Sequence, residues 1–269
     1  VRRTPSVRRA SAGLTPVRAG ALLAMLAGVA AIYGLASSEA FMVRRTTVTG
    51  ASWTSEQRIL EALAIPEGTN TFTVRTGDLE QAATTIPAIR GATVTVALPD
   101  EVRVAVTERE AVLAWKVGTR RFLVDADGRL FAELGPDAPD AAADMPVVND
   151  ARNWSMAYEA GSTLDPVTLD AALRLGSLSP ADVGSGARDL VLRVDDQNGF
   201  TMRTQPASWT AVFGFFTPTL RTTELIPGQV RLLRSIIAGQ EATTERVILA
   251  DERNGTRIPW TTPAPSPVP

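Results

Sequence analysis

The chain has 269 residues, 27 basic against 29 acidic, and neither cysteine nor histidine. Missing both residue types excludes a disulfide framework, a Ser-His-Asp or Cys-His relay, a conventional zinc site and any imidazole titrating near neutrality. An enzyme built from it would have to work with carboxylates, hydroxyls or the single lysine, Lys116.

Arg2, Arg3, Arg8, Arg9 and Arg18 open the chain without an acidic residue among them, and residues 19–38 then carry no charge at all. That run matches the ~20 apolar residues an α-helix needs to cross a bilayer. With the arginines ahead of it, a transmembrane helix over 19–38 keeps the tail, 1–18, in the cytoplasm and places everything after Glu39 outside. A core helix of a soluble protein fits poorly beside a terminus of pure arginine. A cleaved signal peptide is the sharper rival, with Ala36, Ser37 and Ser38 as small residues, but the apolar run exceeds the ~7–15 residues of a signal h-region. With five positive charges before the run, the exterior carries a net −7, which argues against nucleic acid as a partner there.

Residues 41–109 read as a βααββ unit. Phe41, Val43 and Val48 make a first strand that Gly50 ends, and Thr54 with Gln57 is a capping-box signature. Ile59, Leu60 and Leu63 stripe the first helix. Pro66, Gly68 and Asn70 break it, and Phe72 and Val74 are expected to be buried in a brief extended stretch. Thr76 caps a second helix striped by Leu79, Ala82, Ala83 and Ile86. Ala92, Val94 and Val96 then alternate with Thr93 and Thr95 as a strand. Leu98-Pro99-Asp100-Glu101 is turn chemistry, and Val102, Val104 and Val106 return the chain.

Residues 110–261 read as sheet with two or more helices, making the whole an α+β protein. Asp127-Gly128 and Asn198-Gly199 are type I′ hairpin signals, the second joining Leu190, Leu192 and Val194 to Phe200 and Met202. Asp165-Pro166 opens a helix as N-cap and N1, carrying Leu169, Ala172 and Leu173. Val212-Phe213-Gly214 is a strand, followed by a helix from Pro227 to Gly239 whose Val230, Leu233, Ile236 and Ile237 lie on the sheet. A terminal hairpin, Arg246 to Trp260, turns at Asn254-Gly255, and Pro259 favours a sheet edge for its last strand. Such an edge offers unpaired backbone groups to another chain. The proline-rich 262–269 reads as a PPII-like tail, and apart from the helix opened by Asp165-Pro166 the stretch from Pro136 to Ser185 has no motif that can be matched and is left unassigned.

Chemical sites are weak. Asp125-x-Asp127-Gly128 lacks the further ligands of a calcium loop, and Asp195 and Asp196, adjacent on a strand, point to opposite faces and cannot flank one bond. No catalytic, metal or cofactor residue is therefore expected.

The order of elements resembles the POTRA domain of the FtsQ/DivIB cell-division family. The resemblance is carried by Gly50, by Asn70-Thr71-Phe72-Thr73-Val74, by Ile86-Pro87 and Leu98-Pro99, and by Thr107-Glu108-Arg109. It extends into the family's β-rich domain through Ala111 to Trp115 and Leu123 to Phe131. Glu110-Ala111 stands where the family commonly has a proline. The resemblance implies a non-enzymatic, single-pass membrane protein at the division septum that couples partners to septal peptidoglycan synthesis. It implies an FtsB/FtsL-like partner received at the last strands, which carries over to Glu252, Arg253, Asn254, Gly255, Ile258 and Trp260, with Glu252 where the family has an aromatic. At the POTRA face it implies FtsK and the FtsW/FtsI synthase, with Arg44, Arg45, Arg58 and Glu61 as candidates. Two alternatives stay open: a POTRA-type polypeptide transport or chaperone component, and a carboxylate-dependent cell-wall hydrolase, which would need two acids about 5–9.5 Å apart.

Overall fold

The computed structural model describes residues 16–135 and 145–261. Most of the basic tail and the whole proline-rich tail lie outside the described residues. The chain divides into two compact units.

The first unit opens with α1, Pro16–Ala36, none of whose residues is buried and which is long and apolar enough to cross a membrane. It starts three residues before the uncharged run and stops two before its end, where the Ser37 hydroxyl donates to the Tyr33 carbonyl. Next come β1 (Arg45–Thr49), α2 (Glu56–Leu63), α3 (Thr76–Ala83), β2 (Ile89–Ala97) and β3 (Glu101–Glu108). The expected βααββ order is present, with β3 central between β1 and β2 and β1 parallel to it. Ile59 and Leu63 of α2 are buried, as are Val94 of β2 and Val102, Val104 and Val106 of β3. Gly50 is required, because at φ +86° a Cβ would stand 2.1 Å from the Val106 carbonyl oxygen.

Local details depart from the periodicity. Phe41 sits in a 3₁₀ turn and β1 begins only at Arg45. The N-cap of α2 is Ser55, whose Oγ accepts from the Arg58 amide, because the amides of Ser52, Trp53 and Thr54 are taken by the Glu108 carboxylate. Thr76 is the first helical residue of α3 rather than its cap, the Arg75 carbonyl accepting the first turn. Leu60 points to solvent, while Ile59 and Leu63 carry the stripe. Phe72 is also exposed: Thr71–Thr73 is a 3₁₀ turn that buries Thr71 instead.

The second unit takes in residues 52–54 and 84–90, so its boundary with the first does not follow the sequence division at 109. The Arg109 guanidinium donates to the Pro87 carbonyl and, at 2.6 Å, to Asp125. Its strands are β4 (Leu113–Val117), β5 (Arg120–Val124), β6 (Leu130–Glu133), β7 (Val147–Asp150), β8 (Asp189–Asp195), β9 (Gly199–Gln205), β10 (Thr210–Gly214), β11 (Thr244–Leu249) and β12 (Gly255–Pro259). They form one sheet in the order β12-β11-β10-β9-β8-β7-β4-β5-β6. Two helices accompany it, α4 (Pro166–Gly176) and α5 (Ile226–Ile237). Asp165 caps α4 as expected, accepting from the Thr168 amide at 2.9 Å. The core joins Trp115, Phe122, Val148, Leu192 and Met202 to Leu169 and Leu175 of α4 and to Leu233 and Ile237 of α5.

Both expected type I′ hairpins have longer turns. Asp127 and Asn198 keep negative φ and only Gly128 and Gly199 are left-handed. In the first, the Asp125 carboxylate accepts from the Asp127 and Arg129 amides; in the second, Asp195 accepts from Gln197 and Asn198. An aspartate side chain bonding its own loop competes successfully with the two-residue turn.

The middle stretch also contains β7, and behind it a buried polar group. Asp150 accepts from the Arg152 amide, Nε and Nη2 and from the Trp115 indole at 3.0 Å. Removing the cation leaves a buried carboxylate unpaired, so Arg152→Ala is expected to cost about 3–5 kcal/mol in denaturant unfolding.

Glu241 makes a second, half-buried link. Burial alone would raise its pKa, but the Gly186 amide, the Ser185 hydroxyl and the Trp209 indole outweigh it and hold the carboxyl below its ordinary value of 4.5. A depressed folded pKa contributes stability above the unfolded value that is lost as pH falls through the folded one. The unfolding free energy should decline below about pH 4.5, and Glu241→Gln, measured across the same pH series, should flatten part of that slope.

Candidate functional site

The last strand, β12, lies at the edge of the nine-stranded sheet and pairs on one side only, antiparallel to β11. The register sets Arg246 opposite Ile258 and Leu249 opposite Gly255, with Glu245 bulged where the ladder shifts between Thr244 and Arg246. No described strand lies beyond β12, so its outer backbone groups are available to an added strand.

The β11–β12 turn is built to hold that edge still. Asp251 accepts from the Arg253 and Asn254 amides and from the Asn254 side chain, each at 2.7 Å. Those bonds, the Asn254 side chain first, hold its carboxyl below the usual carboxylate range. Beneath the turn the Arg221 guanidinium donates to the carbonyls of Phe213, Leu249 and Ala250. Gln229 of α5 donates to two of the same oxygens, those of Phe213 and Leu249, at 3.2 Å. The ends of the parallel pair β10–β11 are therefore gathered by one planar fork, and burial draws the pKa of Arg221 down from its ordinary value.

The six residues predicted from the sequence fall at this edge but in different settings. Glu252, Arg253 and Asn254 form the exposed turn, and Arg253 pairs loosely with Glu252 at 3.7 Å. Glu252 also packs on α5: a Cβ on Gly228 would lie 2.4 Å from that of Glu252, so the helix needs glycine there. Gly255 is equally confined, beneath Ile236 and Leu232. Ile258 is 36% exposed on the strand. Trp260 is half-buried, its amide bonded to the Thr243 carbonyl and its indole N–H shielded without a hydrogen-bond partner among the described residues.

Sequence reasoning missed what lies beside Trp260. The face of the sheet opposite α5 presents Arg193 on β8, Arg203 on β9 and Arg246 on β11, around a hollow of 350 Å³. Arg203, Thr210 and Arg246 also border a second hollow, of 240 Å³, that reaches Trp260 and Glu245. The signal was present as arginine on the polar phase of each alternation, but only the register Arg203–Thr210–Arg246 sets the three strands side by side. Asp195 is engaged by its own loop and Asp196 accepts from the Asn153 amide, so the two act as turn residues. Among the described residues no cluster of three His, Cys, Asp or Glu could hold a metal.

Among the described residues, one apolar helix of membrane length, a βααββ unit and a sheet with a free last strand give the layout of a membrane-anchored POTRA protein. Residues 41–109 match the POTRA domain, FtsQ-type. The chain is similar to a protein named cell division protein FtsQ in Mycobacteroides abscessus, 29% identical over 57% of this chain and 48% of that one. Its namesake in Chloroflexus aurantiacus is 31% identical over 57% of this chain and 54% of its own length, and that of Chloroflexus aggregans is 30% identical over 58% and 55%. The chain thus spans about half the length of the curated relatives it matches. It carries an FtsQ-type POTRA domain, and its resemblance to the FtsQ/DivIB cell-division proteins holds.

Arg221 gives charged hydrogen bonds to three carbonyls, and truncation removes them all, leaving the Phe213 and Leu249 oxygens to Gln229 alone. Arg221→Ala is expected to destabilise the second unit by about 2–3 kcal/mol in denaturant unfolding, and Arg221→Lys, a point charge without the fork, to recover only part of it.

Proposed function

We propose that this chain is a non-enzymatic scaffold of the division machinery, a bitopic protein with its N-terminus in the cytoplasm and both folded units outside, concentrated at the septum. The edge strand β12 receives an extended segment of an FtsB/FtsL-like bitopic partner, and the first unit faces FtsK and the FtsW/FtsI synthase. Through these contacts the protein couples its partners to septal peptidoglycan synthesis. The observation that carries this reading is the one-sided pairing of β12, held by the Asp251 turn and the Arg221 fork. Main-chain pairing along such an edge supplies affinity and alternate side chains supply specificity. Ile258 and Thr256 stand on the arginine-bearing face, Arg257 and Gly255 on the helix face, so an added strand meets both. The division reading is supported by the FtsQ-type match, and the orientation by the five arginines ahead of the uncharged run at 19–38, which have no acidic residue among them.

Ile258 is exposed, so Ile258→Glu should leave thermal unfolding within a few degrees of the parent. Co-purification of an FtsB/FtsL-like protein from the same cells should fall at least tenfold, a loss of about 1.4 kcal/mol or more. A fluorescent fusion at the N-terminus should gather at division sites. Retention of the partner by Ile258→Glu would move the docking surface away from β12, and uniform envelope fluorescence would remove the division role.

A further inference from the structure

Two large apolar side chains at one end of the first unit are left uncovered: Phe72 is 55% exposed and Leu98 59%. Phe41, half-buried, brings its ring to 5.0 Å from that of Phe72. Their exposure is not that of a loose loop. Met42 bridges Asn70, the Val43 amide donates to the Thr69 carbonyl at 2.8 Å, and the Thr71 hydroxyl donates to the Pro99 carbonyl at 3.1 Å. Three segments are thus fastened together while Phe72 and Leu98 stay more than half exposed.

The place of this patch says what covers it. Asn70 accepts from the Phe72 amide with its side-chain oxygen and donates with its side-chain nitrogen to the carbonyl of Ala36, the last residue of α1. At 1.5 Å per residue, the 21 residues of α1 extend about 31 Å, the thickness of the hydrocarbon core. When α1 spans, Ala36 lies at the membrane boundary, and a group hydrogen-bonded to its carbonyl lies at that depth as well. A phenyl ring and a leucyl side chain there gain by leaving water, as interfacial aromatic residues do. Tyr33, one turn before the end of α1, occupies the same zone. Beside the patch stand the exposed Arg44 and Arg45, with Asp100 3.6 Å from Arg45, and guanidinium groups suit lipid phosphate.

We propose that Phe41, Phe72 and Leu98 seat the first unit in the lipid interface of the membrane that α1 crosses, with Arg44 and Arg45 at the phosphate level. The contact adds a second attachment to the anchor and fixes the orientation of the β1-β3-β2 sheet against the membrane. It rests on the reading of α1 as a spanning helix.

The absence of cysteine makes the test direct. Full-length single-cysteine variants Phe72→Cys, Leu98→Cys, Glu56→Cys and Leu26→Cys are nitroxide-labelled in nanodiscs of phosphatidylcholine and phosphatidylglycerol. Collision with oxygen is compared with collision with a water-soluble nickel chelate. Labels at 72 and 98 should show a several-fold higher oxygen-to-nickel ratio than the label at 56, and the label at 26 the highest. Ratios at 72 and 98 equal to that at 56, with the label at 26 deep in lipid, would overturn the seating and leave the anchor standing. A fall in both collision rates at 72 and 98 would place protein against them and overturn it too. A water-exposed label at 26 would remove the anchor, and the seating with it.

Discussion

The second unit depends on a four-residue strand. β7 pairs in parallel with β4 on one side and with β8 on the other, and without it the nine-stranded sheet would fall into β4–β6 and β8–β12. Val148 faces the core between Trp115 and Leu192, and Asp150 ties its end through Arg152 and the Trp115 indole. A strand this short contributes few ladder bonds, so its hold comes from a buried ion pair and the side chains beside it. Burying Asp150 is tolerable only because Arg152 and Trp115 fill its acceptor sites.

The same continuity gives the edge its character. Because the sheet is unbroken from β6 to β12, the exposed ladder of β12 is backed by a rigid surface, and Arg221 and Gln229 lock the last parallel step behind it. Helices occupy one face, and the other is left to Arg193, Arg203 and Arg246, so the edge borders a helix-packed side and a cationic side. The first unit shows the opposite economy. Its three strands and two short helices bury a small core and leave Phe72 and Leu98 outside, at the end that touches α1.

Much of the fold was legible because its signals are local. The alternation of β2 and β3, the Asp165-Pro166 opening of α4 and the terminal hairpin at Asn254-Gly255 each come from residues within a few positions of one another. The errors share a cause: a local rule lost to a distant partner. Thr54 would cap α2 but for Glu108, which takes its amide from 54 residues away. Asp127-Gly128 would make a two-residue turn but for Asp125, which binds the loop and is itself held by Arg109. Phe72 reads as core by hydrophobicity, yet Thr71 has the inward position because its hydroxyl meets the Pro99 carbonyl.

By itself the sequence determined the chemistry that is excluded, the one apolar run of membrane length, the βααββ order and the placing of the last strand at an edge. Each follows from composition, from periods of two and three-and-a-half residues, or from a single residue such as Pro259, which has no N–H for a central ladder. Only the tertiary structure decided that β7 joins two halves of a sheet, that Arg203 and Arg246 come to lie on either side of Thr210, and that Glu252 rests on Gly228. Parallel pairing and helix docking unite residues tens of positions apart. No local pattern encodes their register, because it is set by what the assembled core leaves room for.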